Sequence, residues 1–341
     1  MSETHRFLKN ICCCSGSAEN VPVVSTSLAF KDIIGAWKVR WGIGRMNYML
    51  EPGIYAVGKP DGDSPVLVSA NYKLTFDTLR KYLDGLDCWL LILDTKGVNV
   101  WCAAGKGTFG TYELVNRIET VGLSKIVTHR KLILPQLSAS GVSAHEVERR
   151  TGFSVTFGPV RANDIKVFII SGYKATKEMR TVKFTLLDRL VLTPVELVEA
   201  AKKSLLVFGV LFLLNLFAIS PFDAYDLAVY AVAVAVGTVL TPVLLPFIPG
   251  KAFSWKGWLL GFCWTAFVLW LFGWFTAGSW LLAAGYLLLL PSVSAYLAMN
   301  FTGCSTYTSP SGVLKEMKIA LPLIAVSSIA GAVLTLINKL I

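Results

Sequence analysis

The sequence predicts two unlike parts: a doubly wound α/β domain, then an all-α domain of about five transmembrane helices. Three observations lead there. Charge is concentrated before Ser204, which 46 of the 54 Lys, Arg, Asp and Glu residues precede. Five apolar runs of membrane-spanning length follow that point. In the charged part, strand-like and helix-like segments alternate around a continuous apolar stretch at 88–94 (CWLLILD). A soluble domain needs a charged surface and a lipid-embedded segment cannot keep one, so the break at Lys202-Lys203 reads as a boundary between solvents. The predicted organisation is a flexible segment at 1–28, a cytoplasmic domain at 29–203 and a transmembrane domain at 204–341.

Residues 1–28 scatter Ser, Gly and Asn, and no apolar signal-peptide core is expected among them. Residues 28–44 open the fold. Short strands are expected at 54–57 and 66–69, around the turn Pro60-Asp61-Gly62-Asp63. A helix is expected at 76–86. The run at 88–94 has the pattern of a strand buried on both faces in a parallel sheet. A second helix is expected at 111–121, strand-like runs at 125–128 and 131–134, and a short helix at 143–151. Ser143 with Glu146 three residues on reads as a capping box. Strands at 155–157 and 166–170 complete the series. Such alternation argues for a parallel sheet wrapped by helices, with its site at the strand C-termini.

The tail runs are 204–220, 227–247, 258–275, 279–297 and 319–337, each near the ~20 residues needed to cross hydrocarbon as a helix. Trp255, Trp258, Trp280 and Tyr296 stand at run ends and suit the interfacial belt. Loops with Lys251 and Lys256, and with Lys315 and Lys318, alternate with non-basic ones, which sets the head in the cytoplasm of a multi-pass plasma-membrane protein. Lys339 alone falls on the opposite side. Pro242, Pro246 and Pro249 predict a kink or break late in the second run. The runs hold no ion pair of the sort proton relays and pumps need, so anchoring is expected rather than transport.

The head carries 27 basic and 19 acidic residues. Next to a membrane this balance fits anionic lipid, and no nucleic-acid motif accompanies it. The seven cysteines (Cys12, Cys13, Cys14, Cys88, Cys102, Cys263 and Cys304) are odd in number and lack paired spacing, which argues against a disulfide framework.

The chemistry concentrates just after the buried strand. There Asn99, Val100, Trp101, Cys102, Ala103, Ala104, Gly105, Lys106, Gly107 and Thr108 bring a thiol, a cluster of small residues and a Lys to the mouth of the sheet. Small residues let something broad approach the backbone. The Walker nucleotide pattern is not met, because seven residues separate Gly97 from Gly105-Lys106 and Gly107 follows the Lys. From pattern alone Cys102 is either a buried structural cysteine or a metal-binding thiolate. A nucleophile would want a His partner, and His129 and His145 are distant in sequence. Asn99 is a candidate N-cap for a helix that begins here.

The string NVWCAAGKGTFGT at 99–111 resembles the corrinoid-binding domain of the corrinoid iron–sulfur protein of acetyl-CoA synthesis. Its octapeptide Asn-Val-Trp-Cys-Ala-Ala-Gly-Lys also resembles the mercury-methylating corrinoid proteins of anaerobic microbes. The similarity continues through 129–153, 158–168 and the tail segment 300–317. A corrinoid head ahead of five membrane helices matches the mercury methylators in organisation. The resemblance implies a base-off corrinoid carrying cobalt, with the Cys102 thiolate as lower axial ligand. It implies methyl transfer to Hg(II), a ferredoxin-like protein with two [4Fe–4S] clusters as electron donor, and a methyltetrahydrofolate-linked methyl source. No Asp-x-His-x-x-Gly motif for the usual His-on binding mode occurs. A carrier in one-carbon metabolism with another acceptor, and a non-catalytic membrane scaffold, are the alternatives. Cys304 is a candidate Hg(II) relay, since the topology puts its loop on the cytoplasmic side.

Overall fold

The computed structural model describes residues 21–216, 223–274, 280–304 and 310–340. The chain divides into two compact units. One is Gly44–Val182 with the segment ending at Val39; the other is Lys183–Ile341 with Arg40–Ile43.

The first unit is built on a six-stranded sheet. Its strands are β1 (Val23–Val24), β2 (Gly53–Val57), β3 (Val66–Ala70), β4 (Cys88–Leu93), β5 (Lys131–Leu134) and β6 (Ser154–Phe157), in the order β1-β2-β4-β3-β5-β6. Strands β3, β4, β5 and β6 are mutually parallel, whereas β2 runs antiparallel to β4 and carries β1 parallel to itself. Every residue of β3 and β4 is buried, which is why β4 reads as an unbroken apolar run and β3 as one interrupted only by Ser69.

Helices α1 (Phe30–Arg40), α2 (Lys73–Lys81), α3 (Val100–Lys106), α4 (Thr111–Thr120), α5 (Leu123–Ile126), α6 (Ala144–Thr151) and α7 (Ile165–Ile170) complete this unit. Successive strand side chains point to opposite faces. Val66, Val68, Leu91 and Leu93 pack with Ala103 of α3, Leu114 and Ile118 of α4, and Val147 of α6. Leu67, Leu90 and Ile92 pack instead with Phe76 and Leu79 of α2 and Phe168 of α7. The sheet is therefore covered on both faces.

Three sequence expectations fail locally. Residues 125–128 are not a strand: α5 occupies that stretch, and its Leu123 and Ile126 reach one core cluster at helical spacing. Residues 166–170 likewise form α7, whose Ile165 and Phe168 lie three apart on one face. Short apolar runs read alike as either element, and tertiary packing decides. The capping box at α6 does not form. Ser143 makes no side-chain cap, and Glu146 is held at 2.8 Å by Arg149. The helix expected at 76–86 begins earlier, at Lys73, and ends at Lys81.

One ionic network fastens α1 to α2. Asp32 meets Lys73 at 2.6 Å and Arg80 at 2.7 Å, while Asp77 meets the same two cations at 2.6 and 2.8 Å. Arg80 also donates to the carbonyls of Ser25 and Ser27. Burial alone would raise the Asp32 carboxyl, but Lys73 and Arg80 outweigh it and hold it below its ordinary 3.8.

The second unit is helical: α8 (Leu186–Leu190), α9 (Thr193–Leu216), α10 (Ala224–Ala235), a π turn (Val236–Leu240), α11 (Thr241–Leu244), α12 (Phe253–Leu271), α13 (Trp280–Asn300) and α14 (Pro310–Leu340). Three stretches, Ala224–Leu244, Trp280–Asn300 and Ser311–Asn338, are long and apolar enough to cross a membrane. The other two expected runs fall in α9, which keeps Glu199, Lys202 and Lys203, and in α12, which holds Lys256 among its aromatics. The expected break in the second run takes the form of the π turn ahead of Pro242, with the Thr241 hydroxyl donating to Val236 O.

Small residues seat these helices. A Cβ at Gly257 or Gly261 of α12 would run into Ser294 of α13, and one at Gly285 of α13 would meet Gly331 and Thr335 of α14. Close approach through small side chains is how helices associate in lipid, where apolar burial gives no drive.

Arg80→Met leaves Lys73 as the one cation shared by Asp32 and the buried Asp77, and is expected to destabilise the head by about 1–3 kcal/mol in chemical denaturation. Because the Asp32 carboxyl is depressed in the folded state, the stability it lends is full above pH 3.8 and is lost as pH falls through the lowered value. An unfolding free energy indifferent both to this substitution and to acid would contradict the role given to the network.

Candidate functional site

Among the parallel strands β3 ends level with β4, Ala70 beside Leu93, and β5 level with β6, Leu134 beside Phe157. Ligand sites of such sheets form outside this carboxyl edge. The turns that leave it carry Asn71 after β3, Asp94 and Thr95 after β4, and Gln136 after β5.

Asn71 organises the turn after β4. Its buried Oδ1 accepts the backbone N–H groups of Thr95 and Gly97, both at 3.1 Å, and lies 2.9 Å from the Thr95 hydroxyl. That hydroxyl donates in turn to Val98 O at 2.7 Å. Asp94 receives the N–H of Lys96, and its own N–H donates to Glu113 of α4 at 2.9 Å. Gly97 takes a left-handed backbone, φ +68°, facing Met46 and Met49. Sequence reading missed Asn71. An Asn directly after a predicted strand was the available signal, but its partners lie 24 and 26 residues on.

Helix α3 starts from this braced turn. Asn99 is its N-cap and accepts the N–H of Cys102 at 2.9 Å. The helix ends where Gly107, at φ +79°, returns its N–H to Ala104 O. Val100, Ala103 and Ala104 turn into the core. Helical geometry then turns Trp101, Gly105 and Lys106 outward, with Trp101 37 % exposed and Cys102 half-buried among them. Gly141 fixes how close the neighbouring turn comes, since a Cβ there would strike Ala104 and Phe109 O.

Gly105 is the informative position. A glycine inside a helix is worse than alanine by roughly 1 kcal/mol. Nothing in the fold asks for it: its φ is not left-handed, and a Cβ would meet nothing within 4 Å. It stands three residues from Cys102, on the same face. The protein thus keeps bare a surface beside Cys102, the one half-exposed thiol among the described residues of the head. Gln136 adds a second open valence there. Its Oε1 is buried with no hydrogen-bond partner among the described residues, on the turn that packs against α3.

The other cysteines differ in kind. Cys88 lies inside β4, where burial pushes its thiol up to about 12. Cys263 is exposed on α12. The Cys304 side chain and Cys12, Cys13 and Cys14 lie outside the described residues. Among the described residues no three His, Cys, Asp or Glu side chains come together around a metal position. His129 donates through Nε2 to Ser64 O at 2.9 Å, at the opposite, amino edge of β3, away from α3.

Residues 44–169 match the family described as CO dehydrogenase/acetyl-CoA synthase delta subunit. Similar curated proteins carry the name acetyl-CoA decarbonylase/synthase complex subunit gamma. The one from Methanocaldococcus jannaschii is 34 % identical over 134 residues, 38 % of this chain and 27 % of the relative. That of Methanopyrus kandleri is 34 % identical over 122 residues, 35 % of this chain and 26 % of the relative. The gamma 2 subunit of Methanosarcina thermophila is 38 % identical over 111 residues, 31 % of this chain and 23 % of the relative. The chain spans about a quarter of the length of these relatives. It is in the sheet domain, from the residues before β2 through nearly all of α7, that this chain is related to the subunits of acetyl-CoA decarbonylase/synthase.

Proposed function

We propose that the head binds a corrinoid against α3 and takes part in methyl transfer, with the tail holding it at a membrane. The observation that carries this reading is the bare face at Gly105 beside Cys102. A flat macrocycle needs such a cleared surface, and a side chain at Gly105 would stand in its way. A corrinoid supplies a cobalt centre that can carry a methyl group and yield it to an acceptor.

The residues present fit that group. Cys102 would offer its sulfur to the corrinoid's metal, on a helix turn that Asn99 caps. A single sulfur suits a metal that arrives with most of its coordination already filled. Trp101 offers an aromatic wall, and Ala103, Ala104 and Gly107 keep the helix slim. Lys106 and the open Gln136 Oε1 offer a donor and an acceptor for the amide groups on a corrinoid's rim. Bound to that metal, the Cys102 sulfur would act as an electron donor that favours release of the methyl group.

The relatives' names support a methyl-carrier role of the kind met in acetyl-CoA metabolism. A second reading, with Hg(II) as acceptor and methylmercury as product, is favoured by the octapeptide at 99–106 and by the membrane tail. In either case a ferredoxin-like donor with two [4Fe–4S] clusters and a methyltetrahydrofolate-linked source are the expected partners. Five spans, with the head cytoplasmic, remain the proposed topology. Cys304 is proposed as an Hg(II) relay only under the second reading.

Gly105→Leu separates ligand binding from folding. Its thermal stability is expected to equal or exceed that of the parent, because helix propensity rises by about 0.5–1 kcal/mol. Corrinoid retention after anaerobic gel filtration is expected to fall at least tenfold. Undiminished retention would overturn the placement of the ligand. In an anaerobic assay with Hg(II) and other methyl acceptors, Cys102→Ala is expected to lose nearly all transfer, and the preferred acceptor of the parent protein decides between the two readings. Near-normal turnover by the variant would contradict the ligand role.

A further inference from the structure

Helix α1 is built inside out. Its inward positions are Asp32, Gly35 and Val39. Asp32 is paired with Lys73 and Arg80, Gly35 lies so near the Tyr48 ring that a Cβ would clash, and Val39 is buried. Phe30, Ile33, Ile34 and Trp37 stand at the i, i+3, i+4, i+7 spacing of a single helical face. That apolar face is turned outward, with Phe30 75 %, Ile33 50 % and Trp37 66 % exposed. Lys31 and Lys38 are exposed beside the stripe, and Asp32, the one acid of α1, faces away from it. An exposed apolar stripe rimmed by cations marks an interaction surface.

Chain continuity bears on what covers it. Directly after α1, Gly42 lies against Val195 and Val198 of α9, 3.7 and 4.0 Å from where its Cβ would stand. Those valines precede Lys202 by one to two turns, about 6–11 Å along the helix axis. Beyond Lys203, Leu205, Leu206, Val207, Val210, Phe212 and Leu213 of α9 are apolar and exposed. The stripe is thus linked, through a few residues, to the point where the tail leaves water. Its cations match the charge of an anionic leaflet. The tail unit repeats the inversion in α8, where Arg189 is buried and donates to Phe184 O and Val243 O while Leu187 is exposed.

We propose that α1 is an interfacial helix. Its apolar stripe sits at the headgroup–acyl boundary of the membrane that the tail crosses, and Lys31 and Lys38 meet anionic headgroups. The head is then moored at two places, by its own chain and by α1. This rests on the membrane reading of the tail.

The test uses the full chain at one copy per nanodisc of phosphatidylglycerol and phosphatidylcholine. Hydroxyl-radical labelling is read at Trp37 and at Tyr112, a 75 % exposed residue of α4, each scaled to its rate in the denatured chain. Trp37 is expected to react about fivefold or more slowly than Tyr112, as a side chain sunk in the interface would. Ile33→Asp puts a charge in the stripe and is expected to bring Trp37 up to the Tyr112 rate, with Tyr112 itself unchanged as a check on the fold. Trp37 reacting as fast as Tyr112 in the parent chain overturns the proposal. So does protection that survives Ile33→Asp, or that arises only when several copies or a soluble protein are present. A chain that fails to enter nanodiscs overturns the membrane reading and the proposal together, whereas a labelled Trp37 in an incorporated chain overturns the proposal alone.

Discussion

One hydrogen bond, from the Cys102 N–H to the Asn99 side chain, sets the first turn of α3, and the site depends on that turn. With the turn fixed, helical spacing turns Ala103 and Ala104 into the core and leaves Trp101, Gly105 and Lys106 outward, with Cys102 half-buried among them. Behind it stands Asn71, whose buried oxygen gathers the two backbone N–H groups that shape the approach to Asn99. The chain places rigid, internally satisfied groups beneath the helix and leaves open space beyond it. A site preorganised this way supports its ligand without refolding around it.

Much of this was legible beforehand, for identifiable reasons. β3 and β4 are buried on both faces, and that constraint writes apolar runs into the sequence, interrupted only at Ser69. The Asn99 cap is local, so its signal lies within four residues. The loss of charge after Lys203 is written over long stretches, and the described residues beyond it include three helices apolar and long enough to cross a membrane. What did not show depends on distant partners. Whether 125–128 and 166–170 are strands or helices is decided by which cluster their side chains reach. Asn71 needs a turn more than twenty residues away to have a purpose. Glu146 had two partners within reach, and the ion pair with Arg149 won over the cap. The meaning of Gly105 also needed three dimensions, since only there does it become plain that no neighbour demands a glycine.

The comparisons cover the sheet domain alone, about a quarter of the relatives they match. The helical part carries its own physical signature: close contacts at Gly257, Gly261, Gly285 and Gly331, and three helices of membrane-crossing length. An α/β domain related to acetyl-CoA decarbonylase/synthase subunits is thus joined here to a helical domain packed as membrane helices are. On the proposed membrane reading of the tail, such a union would confine the head to a surface, where a partner is met in two dimensions.

The central claim is that the Cys102 sulfur ligates cobalt. Cobalt K-edge X-ray absorption of the full chain, loaded with corrinoid under anaerobic conditions, tests it most directly. The account predicts one sulfur scatterer in the first shell, absent from the Cys102→Ala protein under the same loading. A first shell of nitrogen and oxygen alone, or a sulfur signal that survives the substitution, would contradict it.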